Sequence, residues 1–332
     1  MKKDWKEFIH ICLPLLLAPV LLLLGVCAGA FWIPPMEIFQ FDEIGVRIDP
    51  VADLRLIRML AAFVVGGSLA LSGMVFQAVL RNPLAEPFIL GVSGGAGVGA
   101  ALAVVCGLSA WLVLSLPLGA LAGALLALGV VLWISRQGGS GRENLLLSGV
   151  ITGTIAGSIL MFLISMAQSD ELAGITWWML GDLQTADPVL LLPGGIVLLI
   201  ALGVIWYHAR GLNALSIGDS EAWNLGVDAR KLTLILVLTA SLLAAFSVAL
   251  AGIIGFCGLI VPHLVRRVCG CDHRKITFPV FLWGADFLMF CDILSRLPYP
   301  FREIPVGVIT SLSGGVLFLW IVNRRARYEN RV

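Results

Sequence analysis

The chain has 332 residues, of which 59% are hydrophobic and only 13% are charged. A soluble domain is about 45–50% apolar and about 25% charged, so this composition excludes a soluble protein and indicates an all-α integral membrane protein. The net charge of +1 also argues against a nucleic-acid partner, which requires a concentrated basic surface. The lipid bilayer is the first partner that we expect.

Ten membrane spans are predicted from runs of about 20 mostly apolar residues. For the first run a cleaved signal peptide is the alternative, because Ala-Gly-Ala at 28–30 resembles a cleavage site, but the length of the run favours an uncleaved span. The stretch 232–265 is too long for one crossing, and we divide it near Gly252 and Gly255. The other spans are 11–33, 59–80, 88–107, 111–135, 145–167, 189–207, 277–294 and 305–322.

The distribution of basic residues predicts that both termini are cytoplasmic. In that orientation 17 of the 22 Lys and Arg residues lie in cytoplasmic segments, as the positive-inside rule requires. The long external loops are then 34–58 and the acidic segment 168–188, which has no Lys or Arg. We predict one transmembrane domain, 1–332, in a multi-pass protein of the inner or plasma membrane.

An internal repeat is suggested by two similar segments, SLALSGM at 68–74 and SVALAGI at 247–253, which lie 179 positions apart. Because span two runs inward and span seven outward, the repeat would be inverted and would relate spans 2–5 to spans 7–10. The alternative is that small residues recur by chance in membrane helices.

A glycine-rich run follows the second span and contains G-x-G-x-x-A at 95–100. A nucleotide-binding loop is excluded there, because no acid follows within 20 residues and the run is part of an apolar span. Gly91, Gly95 and Gly99 recur every four residues. We therefore predict that they form one helix face against which another helix packs closely.

Three stretches resemble the permease subunits of ABC importers for iron–siderophore, haem and cobalamin. They are 55–103, 252–274 and 292–322, which include RNPLAEP, GLIVPHLVRR and REIPVGVITSLSGG in the order and spacing of that family. One departure is GGVLF at 314–318, where the family usually has Gly-Ala-Pro. Because the last span borders the pathway in this family, the departure bears on the cargo more than on the fold.

The resemblance implies a bacterial or archaeal transport subunit that moves a metal chelate inward. Its implied partners are a second permease subunit, as a homodimer in the simplest case, two ATPase subunits and a substrate-binding protein. No Walker A motif is present, so ATP and Mg would bind to the separate ATPase. We therefore expect no cofactor in this chain and no enzyme activity of its own.

The cytoplasmic coupling loop, 211–231, is polar but carries regularly placed apolar residues. Two short amphipathic helices there are predicted to enter a groove on the ATPase, and the resemblance places the coupling helices of the family at this loop. The alternative is a loop that rests on lipid headgroups. The candidate coupling residues are Leu212, Leu215, Ile217, Asp219, Glu221, Trp223 and Leu225.

Three external arginines, Arg55, Arg58 and Arg296, match positions that pair with acids of the binding protein in this family. Such pairs set docking register and association rate. Alternatively, Arg55 and Arg58 anchor a helix end at the headgroups, and Arg296 pairs with Asp292 one turn earlier.

One acid, Asp286, lies near the middle of the ninth span. An ionisable group in the membrane suggests a functional site, so an ion-coupled transporter that works without an ATPase is the alternative function. The C-x-C-x-H run at 269–273 offers three metal ligands, but its Cys spacing is narrower than in zinc sites and its loop is basic. No metal site is predicted.

Overall fold

The computed structural model describes residues 2–39, 50–108, 114–137, 141–184, 186–297 and 303–329, and within them the side chains of 12–319. These residues form helices and connecting turns and no strand, so the predicted all-α fold is confirmed. The helices are α1 (Lys2–Cys27), α2 (Pro50–Val79), α3 (Val92–Val105), α4 (Ser115–Gln137), α5 (Arg142–Met166), α6 (Ser169–Met179), α7 (Pro188–Tyr207), α8 (Ala209–Ile217), α9 (Asp219–Asn224), α10 (Ala229–Ala251), α11 (Cys257–Cys269), α12 (His273–Arg296) and α13 (Val306–Glu329).

A helix is present at each of the ten predicted spans. In the described part of the chain, six helices are long and apolar enough to cross a membrane, namely α2, α4, α5, α7, α10 and α12. Among residues with described side chains, the apolar parts of α1, α3 and α13 cover 12–27, 92–105 and 306–319, and α11 has only 13 residues. The number of crossings and the cytoplasmic location of the termini therefore stay predictions.

Both predicted external loops contain helix. The predicted loop 34–58 ends early, because α2 begins at Pro50. Proline is suited to the first position of a helix, where no backbone N–H donor is needed. Residues 40–49 of this loop lie outside the described part. The acidic segment 168–188 contains α6, because Glu171 accepts a hydrogen bond from the Gln168 backbone N–H at 2.9 Å and caps the helix start. The search for apolar runs did not predict these helical parts, and the external location of both segments stays a prediction.

The predicted division of 232–265 is present between α10 and α11. Gly252 has a φ of +66°, and a side chain there would collide with the Trp178 backbone carbonyl, so both the conformation and the close contact require glycine. The matching segment of the proposed repeat, 68–74, lies inside the unbroken α2. The two segments thus differ locally, and the inverted repeat stays a prediction.

Helix α2 lies at the centre of the bundle and packs against α12, α10 and α11. In its most apolar stretch 83% of the residues are buried, whereas the corresponding shares are 28% in α4 and 33% in α5. Backbones approach closely where glycines face each other: Gly66 contacts Gly284 of α12, and Gly73 contacts Gly258 of α11. This close packing is the usual means of helix association in lipid.

Candidate functional site

The coupling segment forms the two short helices that its pattern predicted, α8 and α9. Gly218 is extended between them, at a φ of −175°, and separates the two helical turns. Leu212 and Leu215 are fully buried against the bundle. Ile217, Trp223 and Leu225 are instead 69%, 72% and 67% exposed. Only these three of the five predicted apolar coupling residues are therefore available to a partner, and Leu212 and Leu215 hold α8 to the membrane helices.

Asp219 joins α9 to two membrane helices. Its Oδ1 accepts hydrogen bonds from Arg142 Nη2 at 2.5 Å and from Arg81 Nη2 at 3.2 Å. The same guanidinium groups donate to the Leu215 carbonyl, at 3.2 Å from Arg142 and 2.9 Å from Arg81. Since Leu215 lies in the last turn of α8, two cations satisfy a carbonyl at the negative end of a helix. We name Arg81, Arg142, Leu215 and Asp219 the arginine clamp.

A second connection joins α8 to the start of α12. Asn213 Nδ2 donates to Asp272 Oδ1 at 2.7 Å, and Asn213 Oδ1 accepts from the His273 backbone N–H at 2.9 Å. The His273 ring Nδ1 lies 2.6 Å from the same amide oxygen. The Arg274 guanidinium, with help from Asn213, holds the pKa of Asp272 well below its ordinary value, although partial burial opposes this shift. Helix α8 is therefore attached to α2, α5 and α12.

Glu221, the remaining predicted coupling residue, is exposed on α9. Its Oε2 accepts a hydrogen bond from Ser220 Oγ at 2.9 Å. Hydrogen bonds from its own backbone N–H and from the Ser220 hydroxyl lower its pKa. The carboxylate thus accepts a backbone hydrogen bond in the first turn of α9.

At the opposite end of the bundle, Asp292 lies between two arginines. Its Oδ1 is 2.6 Å from Arg58 Nε and its Oδ2 is 2.9 Å from Arg296 Nη2. The Asp292 side chain is fully buried and those of the arginines are 9% and 3% exposed. Arg58 also pairs with Glu303, which accepts a hydrogen bond from Gln184. This charge cluster connects α2 and α12 to the segment after α6 through Gln184, and to the segment after α12 through Glu303.

The other contacts of these arginines reach the end of α1. Arg296 Nη1 donates to the Gly25 carbonyl at 2.8 Å. Arg55 donates to the Val26, Cys27 and Phe31 carbonyls at 3.0–3.1 Å. Like Arg58 and Arg296, Arg55 is less than a tenth exposed. The alternative for Arg296, a pair with Asp292, is present, and all three arginines have a structural role. Docking of the binding protein by these arginines stays a prediction, and their burial does not favour it because it keeps them from a partner surface.

The three glycines of the predicted packing face contact two different helices. Gly95 and Gly99 lie against the backbone of Gly123 and Gly119 on α4. Gly91 precedes α3, with a φ of +74°, and lies beside α5. The prediction of a single face was wrong for Gly91, because a left-handed residue ends the helical periodicity there.

Asp286 is 2% exposed within α12, and neither of its carboxyl oxygens has a hydrogen-bond partner in the described residues. No basic side chain of the described residues forms an ion pair with it. A relay for ion coupling requires further polar groups along a path. The arrangement around Asp286 therefore adds no support to ion-coupled transport.

Sequence reasoning did not assign the clamp residue Arg142 or the two polar anchors of α8, Asn213 and Asp272. Asp272 accepts a hydrogen bond from the Arg274 backbone N–H and is the N-cap of α12, a role that an Asp before an apolar run can signal. Nothing in the local sequence indicates the partners of Arg142 or Asn213, since these lie far away in the chain.

The FecCD transport family matches residues 16–324 of the chain. The chain is 38% identical to the vitamin B12 import system permease protein BtuC of Yersinia enterocolitica over 91% of its own length and 89% of the relative. It is also 38% identical to BtuC of Klebsiella pneumoniae, over 93% and 92%. A solved inward-facing ABC transporter, described as being of the metal-chelate type, superposes with a TM-score of 0.84 at 27% identity, covering 96% of this chain and 99% of that one.

Proposed function

The chain belongs to the FecCD transport family and is a permease subunit of an ABC importer, and we propose that its cargo is a cobalamin. The observation that carries the proposal is the 38% identity to a vitamin B12 import permease over 91% of the chain. Ferric siderophores and haem are the other cargoes implied by the resemblance, and they are outcomes of the test below.

We further propose that a separate ATPase drives transport through α8 and α9. The exposed Ile217, Trp223 and Leu225 are apolar side chains on short helices, which suit insertion into a groove of a partner. Movement of these helices would reach α2 and α5 through the arginine clamp and α12 through Asn213. The complete importer would contain two permease subunits, two ATPase subunits and a substrate-binding protein that delivers cargo from outside.

Transport by proteoliposomes tests both proposals. The chain is reconstituted with its cognate ATPase and binding protein, and uptake of radiolabelled cyanocobalamin, a ferric siderophore and haemin is measured. We expect cobalamin uptake only when ATP is present on the side of the membrane to which the ATPase is bound. Uptake of another chelate in preference to cobalamin would overturn the cargo, and uptake driven by a proton gradient without ATPase or ATP would establish the ion-coupled alternative.

A further inference from the structure

A cavity of about 540 Å³ opens at the end of the bundle where α4 ends and where α5 and α10 begin. It lies beside the arginine clamp, which supplies part of its wall, but most of its lining belongs to the membrane helices. Its basic lining residues are Arg136, Arg142, Arg230 and Lys231, and its acidic ones are Asp219 and Asp228.

Both acids of the cavity are engaged within the chain. Asp219 belongs to the clamp, and Asp228 accepts the Lys231 backbone N–H at 3.0 Å as the N-cap of α10. Three of the basic side chains, those of Arg136, Arg230 and Lys231, are exposed. The cavity therefore presents a surplus of positive charge.

The helix ends at the cavity also favour an anion. The cavity wall includes the first residues of α5 and of α10, so the positive ends of two helix dipoles face it, against the negative end of α4 alone.

The uncharged part of the lining is mostly apolar: it includes Leu132, Leu145, Leu234 and Val237, together with Gly141, Ala229 and the hydroxyl side chains of Ser135 and Thr233. A free phosphate ion gains nothing from such a surface, whereas a phospholipid would place its phosphate among the basic groups and its acyl chains along the aliphatic side chains. Basic pockets between membrane helices near the cytoplasmic surface are suited to anionic headgroups.

We propose that this cavity binds the phosphate group of an anionic phospholipid. The lipid would come from the leaflet at this end of the bundle, which is cytoplasmic in the predicted orientation. Arg136, Arg230 and Lys231 would contact the headgroup, and bound lipid would brace α4, α5 and α10 against one another. The proposal does not depend on the cargo or on the ATPase.

The test titrates the purified full chain, in a neutral detergent at constant ionic strength, with dioctanoyl phosphatidylglycerol. Dioctanoyl phosphatidylcholine and inorganic phosphate serve as the comparison ligands, and binding is measured by native mass spectrometry and by the rise of Tm. We expect tighter binding of phosphatidylglycerol than of either comparison ligand. Each basic residue near an anionic lipid contributes roughly a fivefold gain in binding, so Arg230→Gln with Lys231→Gln should weaken it about thirtyfold.

The matched control is Arg210→Gln with Arg267→Gln, which removes two exposed charges that do not line the cavity and should change binding by less than about twofold. Should the first double variant unfold, Arg136→Gln alone should weaken phosphatidylglycerol binding about fivefold. Equal losses in the cavity and control variants, or unchanged binding in the cavity variant, would overturn the proposal. Displacement of phosphatidylglycerol by equimolar inorganic phosphate would show a simple anion site and would equally overturn it.

Discussion

Arg58 Nε lies 2.6 Å from Asp292 Oδ1, and this ion pair joins α2 to α12 in a region almost without solvent. Because Arg296 pairs with the other oxygen of the same carboxylate, Asp292 is the one acid that both buried cations share, whereas Glu303 pairs with Arg58. The cluster therefore depends on Asp292 more than on either arginine.

We predict that Asp292→Asn destabilises the protein by about 3–5 kcal/mol, because it removes the ion-pair partner of the buried Arg296 and leaves Arg58 with Glu303 alone. The measurement is thermal unfolding of the purified chain in detergent. Asp170→Asn, at an exposed acid on α6, is the control and should leave Tm unchanged. A variant of Asp292 as stable as the wild type would show that water or another group compensates the arginines.

Trp223→Ala should uncouple ATP hydrolysis from uptake without lowering Tm, because this indole is 72% exposed and in the proposed assembly would contact the ATPase. We expect cobalamin uptake in proteoliposomes to fall at least about tenfold, as for a central aromatic residue of an interface. Trp133→Ala removes an indole of α4 that is 63% exposed, and this variant should transport normally. If the two variants behave alike, α9 is not the coupling surface.

The buried leucines of α8 should respond in the opposite way. Leu212→Ala creates a cavity at a fully buried position, and we expect a loss of about 2–5 kcal/mol in the free energy of unfolding. Thermal unfolding of Leu212→Ala and of Trp223→Ala under the same conditions distinguishes a packing role from a role in coupling. An unaltered Tm for Leu212→Ala would contradict the division of the segment into a packed face and an exposed face.

The arginine clamp should act as a unit. Asp219 is 59% exposed, so Asp219→Asn should cost no more than about 1 kcal/mol of stability, yet it frees α9 from α2 and α5. A double-mutant cycle with Arg142→Gln, read out as uptake per ATP hydrolysed, should show that the second substitution adds little to the first. Glu143→Gln, at an exposed neighbouring acid, is the control. Additive effects would mean that the two residues act separately.

The glycines of α4 offer a matched test of helix packing. A Cβ at Gly123 would meet the Gly95 carbonyl, whereas a Cβ at Gly129 of the same helix has nothing within 4 Å. Gly123→Ala should therefore destabilise the protein by about 1–3 kcal/mol through overpacking. Gly129→Ala should be neutral or slightly stabilising, because alanine is the better helix former. Equal Tm values for the two variants would contradict the close contact of α3 with α4.

Features that depend on neighbouring residues could be predicted from the sequence. Apolar runs of sufficient length located a helix at every expected span, Gly252 marked the division between α10 and α11, and the alternation of polar and apolar residues in 211–231 indicated two short helices. Helix α6 was missed because an acidic, capped helix outside the apolar runs has no such signal.

The sequence by itself determined the membrane class, the helices of the apolar spans and the family, because each follows from composition, periodicity or motifs within short stretches. Tertiary structure alone decided which charged and apolar side chains are available to partners. Arg58 and Asp292 are 234 positions apart, and Arg142 and Asp219 are 77 apart, so no local pattern could pair them. Leu212 and Trp223 have the same apolar character, yet packing against the bundle buries one and leaves the other exposed. Burial depends on which helices meet, and that is a property of the whole fold.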